Sequence, residues 1–336
     1  MKILFISNLN SNFENTNTYR LRAIKDLGHE AIFFEDRNFM LPGRIRQRFP
    51  FLHEWDLRRL NRQMIAVAHR EKPDICLSVG GYRVLPATLK RFQEGGMKTV
   101  LWTTDAPRPE FSNIVETAAL YDHVLCAGTE AVDILTASGR PDAIWLPFAC
   151  DPVYHRPLEV TRKDESRYGK DIVFVGAYYP NRWKILRELI GNYDIAIWGP
   201  GWQVVVNNHN REHIHPHAVS YAQWVKMYNA AKIVMVIHYQ DGVTPCKQAS
   251  PKIFEALACR SFVMVDTQKD VQKLFSSGRH LVSFADIDDL KGKIDRYLSN
   301  DQERRSIAAA GYAEVLKRHT YRHRLQTIIE LKGLKQ

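Results

Sequence analysis

No stretch of the 336 residues stays apolar for the roughly 20 positions that a membrane helix needs. The chain opens on the strand-like run MKILFIS. It shows no basic segment, apolar core and small-residue cleavage site, so no secretory leader is expected. Cysteine is sparse, and the five residues (Cys76, Cys126, Cys150, Cys246, Cys259) lack the spacing of a zinc site. Cys76, Cys126 and Cys259 lie inside apolar runs, where a free thiol behaves as a small hydrophobe. The expectation is a reduced, cytoplasmic protein. Acid is in deficit: 37 Asp and Glu stand against 47 Lys and Arg, a formal charge of +10. That balance favours a polyanion, a nucleotide-linked substrate or an anionic membrane surface, without choosing among them. Part of the excess is local. From Arg44 to Lys72 there are eight cations against Glu54, Asp56 and Glu71, which a solvated helix face would also explain. With 45% apolar and 25% charged residues, disorder is excluded.

What is present is alternation. KILFIS (2–7), AIFFE (31–35), DICLSV (74–79), KTVLWT (98–103), HVLCA (123–127) and AIWLP (143–147) read as strands with helical spacing between them. One such helix carries Tyr19, Leu21, Ile24 and Leu27 and stops at Gly28. Residues 151–171, DPVYHRPLEVTRKDESRYGKD, mix prolines and charges and read as a linker. Alternation resumes with IVFVG (172–176), DIAIW (194–198), KIVMVIH (232–238), SFVMVD (261–266) and HLVSF (280–284), and from about Asp286 the pattern is helical. Runs apolar throughout suit strands buried on both faces of a parallel sheet. The expected class is α/β, with two doubly wound Rossmann-like domains facing a central cleft. Their expected bounds are 1–155 and 156–310, with a helical segment 311–336 packing back toward the first. Ligands of such sheets bind at the carboxyl ends of the strands.

Three stretches carry chemistry. In SPKIFEALACRS, Ser250 suits an N-cap and Pro251 the first helical position, so the helix start offers its N–H groups to a phosphate. Lys252 stands in the first turn, where the helix alone disfavours a cation, and Lys247 lies just upstream. Glu255 is too far from the cap to serve it. A carboxylate there can accept two hydroxyl hydrogen bonds from a ribose; a surface Glu on an amphipathic helix reads equally well. The second stretch, FVGAYYPNRWKILREL, ends a strand at Gly176 and places Arg182 and Lys184 in the next helix's first turn. A diphosphate between the two helix starts would account for both misplaced sets of cations. The third is Gly199-Pro200-Gly201, a strand-end turn that could admit a nucleobase against backbone.

On these residues the chain resembles glycosyltransferases of the spore-maturation CgeB-like group, which have the two-Rossmann B-type glycosyltransferase fold. The resemblance rests on SPKIFEALACRSFVMVD and the helical region after it, and on LPFACDPVYHRP as the crossing between domains. It extends to VSYAQWVKMYNAAKIVMVIH before the donor site and, more loosely, to LWTTDAP in the amino-terminal half. It implies that Glu255 holds the nucleotide ribose and that Arg182 stands near the diphosphate with Lys252 as helper. It also implies a retaining, front-face displacement that needs no metal and no cofactor beyond the nucleotide diphosphate-sugar substrate. The chain departs from the pattern in three places. Lys247 stands eight positions before Glu255, where many relatives carry a second glutamate; Arg260 replaces a common glycine; and SNLNSNFENTNTYR is not glycine-rich.

On the acceptor side, Asp105 in TTDAPR ends a strand and is a candidate base or positioner for the acceptor hydroxyl. A turn carboxylate bonded to its own backbone competes with that reading. Asn17, Tyr19 and Arg20 follow the first strand and are candidates for acceptor contact, and His238 for sugar or phosphate. His209, His213, His215 and His217 show no ligand geometry in sequence, and no metal site is assigned. The expected acceptor is a glycan, a lipid-linked molecule or a protein. Segment 44–72 interleaves Arg with Phe and Trp, which suits peripheral contact with the inner face of a membrane; a nucleic-acid acceptor is the minority reading. Two alternatives stay open: a nucleotide-sugar epimerase of the same fold, and a non-catalytic nucleotide- or glycan-binding protein.

Overall fold

The computed structural model describes residues 1–9, 15–106, 114–240, 242–243 and 246–334. The chain divides into two compact units, Met1–Pro147 with Arg324–Gln336, and Phe148–His323.

In the first unit, β1 (Lys2–Ser7), β2 (Glu30–Glu35), β3 (Ile75–Val79), β4 (Lys98–Thr103), β5 (His123–Cys126) and β6 (Ile144–Trp145) form one sheet in the order β2-β1-β3-β4-β5-β6. Every pairing is parallel. Between the strands run α1 (Thr16–Asp26), α2 (Gly43–Arg48), α3 (Pro50–Glu71), α4 (Pro86–Glu94), α5 (Ile114–Ala118) and α6 (Thr129–Ala137). Of the central strands, β3 is buried from end to end and β1, β4 and β5 are buried beyond their first residue, whereas the edge strands β2 and β6 are only partly covered. This is the burial that helices on both faces impose. Leu4, Ile6, Cys76 and Leu101 of the strands pack with Leu60, Met64 and Leu89 of the helices. α1 begins where the sequence allows: the Asn15 side chain accepts from Asn17 N and Thr18 N, and Gly28 leaves the helix end at φ +80°.

The second unit repeats the plan. Its strands are β7 (Ile172–Val175), β8 (Ile195–Trp198), β9 (Ile214–His215), β10 (Ile233–Val236), β11 (Val263–Asp266) and β12 (Val282–Phe284), in the order β12-β11-β10-β7-β8-β9, again all parallel. Its helices are α7 (Arg162–Tyr168), α8 (Pro180–Leu186), α9 (Tyr221–Ala230), α10 (Pro251–Ala258), α11 (Lys269–Leu274), α12 (Ile287–Ser299) and α13 (Asp301–Arg318); α14 (Tyr321–Ile329) follows and runs into the first unit. The expected linker 151–171 is not structureless. It contains α7, because the Thr161 hydroxyl accepts from Asp164 N and donates to the Asp164 carboxylate. Strand β9, two residues long, was outside the expected set.

Topology sets the place of a ligand. From β7 the chain moves outward through β8 and β9, then returns to lay β10 on the other side of β7. Chain direction across the sheet therefore reverses between β7 and β10, and beyond their carboxyl ends the following loops part and leave a crevice. The same reversal lies between β1 and β3 in the first unit.

Candidate functional site

In the second unit, the carboxyl ends of β7, β8, β10 and β11 are knitted together by their own polar groups. Gly176 N donates to Trp198 O (2.8 Å), Tyr178 N to Pro200 O (2.9 Å) and the Trp202 indole N–H to Gly176 O (2.7 Å). Gly199 sits at φ +144°, and a Cβ there would overlap the carbonyl oxygen of Gly176. The freedom of Gly199 is thus used by the protein's own backbone, a more economical reason for the glycine than an incoming nucleobase.

Arg182 is buried on α8. Its Nε donates to Ile237 O and its Nη1 to Ala177 O, both at 2.9 Å, and its guanidinium lies 4.8 Å from the centre of the Tyr179 ring. One side chain thereby ties the end of β10 to the end of β7. Nη2 has no protein hydrogen-bond partner among the described residues. Burial pulls the guanidinium pKa below its ordinary value.

His238 follows β10, and both of its ring nitrogens are committed. Nε2 accepts from Ser250 N (3.0 Å) and Nδ1 donates to Asp266 at the end of β11 (2.7 Å). The backbone donor at Nε2 fixes the tautomer, so the proton is on Nδ1. Asp266 also accepts from His238 N and from the Gln268 amide. Burial raises its pKa, but these hydrogen bonds outweigh burial and hold it low. His238 therefore has no ring nitrogen left for sugar or phosphate. It fixes the entry of α10 instead. Sequence reasoning did not find Asp266, which lies on a neighbouring strand 28 residues away.

Ser250 occupies the N-cap of α10 and Pro251 its first position, yet the Ser250 hydroxyl makes no capping bond. Its backbone N–H is the group that is used. Lys252, in the first turn, brings its ammonium to the end of β7, where a Cβ on Gly176 would lie 3.4 Å from Nζ. No carboxylate lies within 4.0 Å of Nζ among the described residues. Burial pulls the Lys252 pKa down to about 8, with the positive charge of Arg182 adding to the effect and Glu255 opposing it. Glu255, one turn further on, is 7% exposed, and its carboxylate has no hydrogen-bond partner among the described residues. Burial pushes it up to about 7 against the pull of Lys252. Two cations near enough to repel each other, with a desolvated carboxylate beyond them, form an arrangement that wants an anion and a pair of hydroxyls.

Lys247 is held at the backbone, where its carbonyl accepts from Asp270 N (3.0 Å). Arg260 has φ +60°, a conformation glycine adopts freely and Arg does not. His215 stacks on Trp198 with ring centres 3.8 Å apart, and His213 bonds to Ile195 O. These rings are spent on packing and backbone. Among the described residues no group of three or more His, Cys, Asp or Glu is placed to hold a metal ion.

In the first unit, Asn17, Tyr19 and Arg20 are all buried at the start of α1. The Asn17 amide donates to Asn8 O (2.9 Å), just past the end of β1. Arg20 donates to Thr16 and Asn17, and its guanidinium stands 4.2 Å from the centre of the Trp102 ring. Fully buried, Arg20 shapes the strand-end loop instead of presenting charge at the surface. Residues 10–14 of that loop, and the prolines Pro107 and Pro109 after Asp105, lie outside the described residues. Asp105 is exposed and accepts from the Tyr82 hydroxyl at 2.9 Å. Tyr82 follows Gly80 and Gly81, which take φ +83° and +73° at the end of β3. Burial, then the Asp105 carboxylate, push its phenol pKa up. Tyr82 is a second group the sequence did not single out.

Residues 182–330, which hold Arg182, His238, Lys252 and Glu255, match the family described as glycosyl transferase-like. The chain is 25% identical to spore protein CgeB of Bacillus subtilis (strain 168) over 264 residues, 74% of this chain and 80% of that protein. Among solved structures, sucrose-phosphate synthase from Thermosynechococcus elongatus aligns over 98% of both chains at TM-score 0.72 and 12% identity. Anabaena Alr3699/HepE in complex with UDP aligns over 98% of this chain and 99% of that one, at TM-score 0.66 and 14% identity. The expected resemblance to CgeB and the B-type glycosyltransferase fold are thereby shown, and residues 182–330 are similar to the glycosyl transferase-like family.

Proposed function

We propose that this chain, a glycosyltransferase by domain type and fold, moves a sugar from a nucleotide diphosphate-sugar to an acceptor hydroxyl. One observation carries the reading: at the β7/β10 reversal, Arg182 and Lys252 converge with no ion-pair partner among the described residues, and the buried Glu255 carboxylate stands beyond them with no hydrogen-bond partner among them. In this reading the diphosphate lies against Lys252, Arg182 Nη2 and the start of α10, whose N–H groups and dipole favour a negative charge. Glu255 accepts the ribose hydroxyls, and His238 with Asp266 sets the helix at the distance both need. The C1–oxygen bond to the diphosphate breaks as the acceptor oxygen bonds to C1. Charge develops on the departing diphosphate, where Arg182 and Lys252 already stand, and this preorganised charge is the main catalytic contribution. The two side-chain cations supply the counter-charge that a metal ion would otherwise bring to the diphosphate. A front-face displacement retains the configuration at C1 and passes the acceptor proton to an oxygen of the departing diphosphate. That HepE was obtained with UDP and UDP-glucose makes uridine the first base to try.

The test is product analysis with uridine, guanosine, adenosine and thymidine diphosphate-sugars, with and without an acceptor mixture, on wild type, Glu255→Ala and Arg182→Ala. Transfer by wild type that both substitutions abolish supports the proposal, and intact transfer in either variant refutes the site. Donor turnover without acceptor would make the chain an epimerase. Donor binding without turnover would leave it a binding protein.

A further inference from the structure

The first unit carries a surface that the transferase reading does not use. Five of its large apolar side chains stand exposed within 16 residues: Met40, Ile45, Phe49, Phe51 and Trp55, with Phe51 68% and Met40 57% exposed. They occupy α2, the start of α3 and the loop before them. At 100° per residue, Phe51, Trp55, Arg58 and Arg62 fall on one stripe of α3, aromatic in its first turns and basic in the next. The loop is not loose. Met40 N and Leu41 N both donate to the buried carboxylate of Asp56 on α3, and the Arg46 guanidinium stacks on Phe39 with its Nε bonded to Leu41 O. The loop is therefore held in place by the buried Asp56 and the half-buried Phe39 and Arg46.

Every cation between residues 36 and 62 is arginine, the side chain that grips phosphate bidentately. Arg58 pairs with Glu54 and Arg59 with Asp56, while Arg44, Arg48 and Arg62 have no ion-pair partner among the described residues. We infer that this face docks on an anionic lipid bilayer, with Phe51 and Trp55 entering the interface and Arg44, Arg48 and Arg62 meeting lipid phosphates. Exposed apolar side chains ringed by unpaired arginines match the two layers of such a surface, an apolar interior under an anionic headgroup plane. A nucleic-acid strand would share the phosphates but has no use for the aliphatic Met40 and Ile45. The inference stands whether or not the transferase reading does.

The full chain would be co-sedimented with phosphatidylcholine vesicles and with vesicles that also contain phosphatidylglycerol. The variants Phe51→Ser/Trp55→Ser and Arg44→Gln/Arg48→Gln/Arg62→Gln alter exposed side chains only, and unchanged circular-dichroism melts would confirm that they fold. The expected result is binding that needs the anionic lipid and weakens with salt. It should fall on the order of 100-fold in the arginine variant, from about fivefold for each of the three cations near the surface. The aromatic variant should lose on the order of tenfold or more. Absence of binding to anionic vesicles by wild type would overturn the inference, as would equal binding by wild type and both variants. So would binding to a single-stranded oligonucleotide but not to vesicles, or a dimer that Phe51→Ser/Trp55→Ser dissolves and that binds no lipid.

Discussion

Glu255→Gln should make the ligand-free protein more stable and a worse binder of nucleotide. The carboxylate is buried with no hydrogen-bond partner among the described residues, and burial raises its pKa from 4.5 to about 7. At ~1.4 kcal/mol per unit, keeping it ionised in the folded state costs about 3 kcal/mol. The sign fixes the pH window. Below about pH 4.5 the group is protonated both folded and unfolded, and the two proteins should melt alike. As pH rises from 4.5 toward 7 the unfolded chain ionises first, so wild type loses stability that the glutamine variant keeps, and above about 7 the gap is complete. For a unit of this size each kcal/mol moves the melting temperature by about 2–4 °C, so a rise of about 5 °C or more is expected at pH 8. Binding should go the other way. A hydroxyl bonded to a charged carboxylate contributes about 1.5–3 kcal/mol and one bonded to a neutral amide about 1, so two ribose hydroxyls cost the variant about 1–4 kcal/mol, about fivefold to 1,000-fold in Kd. Melts from pH 4 to 9 and calorimetry with nucleoside diphosphates give both readings. A variant that melts below wild type at pH 8 would show that the carboxylate already has a partner in the folded protein. Unchanged nucleotide affinity would remove Glu255 from the site.

Arg182→Ala should abolish donor binding and also destabilise by about 2–4 kcal/mol, since the buried carbonyl of Ile237 and the half-buried one of Ala177 lose their donor; Arg182→Lys, unable to bridge both, should recover little, and denaturant melts beside donor titrations would show it. Asp266→Asn should raise the donor KM about tenfold with a smaller change in kcat, because it unsettles the His238 proton and the entry of α10 rather than touching the reacting atoms; steady-state kinetics separate the two. Gly199→Ala should cost more than about 2 kcal/mol or prevent folding, since its Cβ would meet the Gly176 carbonyl at a backbone angle that side chains avoid; soluble yield and melting temperature report it. Donor affinity should peak between about pH 7 and 8: below about 7 Glu255 takes a proton and no longer accepts from the ribose, and above about 8 Lys252 loses the charge that meets the diphosphate. Calorimetry across that range, showing an affinity flat from pH 5 to 9, would contradict it.

What could be read from the sequence, and what could not, divides by the distance over which the physics acts. Nearly every strand was legible because burial on both faces writes a continuous apolar run, and β9 escaped because its Ile214 stands alone in the polar stretch REHIHPH. α7 hid in a charged stretch, although the threonine and aspartate that cap it stand three apart, a signal that hydropathy does not weigh. Arg182, Lys252 and Glu255 drew attention because each breaks a local rule: cations at helix starts, and a carboxylate in an apolar helix. His238 was noticed but given the wrong work, and Asp266 and Tyr82 were missed. Their partners are chosen by tertiary neighbourhood: His238 meets Asp266 only because β10 and β11 pair in parallel with Val236 beside Val265. No window of sequence contains that pairing. The two kinds of residue also differ in the finished structure. His238 and Asp266 have their hydrogen bonds made within the protein, whereas Glu255 and Lys252 have no hydrogen-bond or ion-pair partner among the described residues. A local anomaly that folding resolves is scaffold, and one that folding leaves in place is the better candidate for contact with substrate.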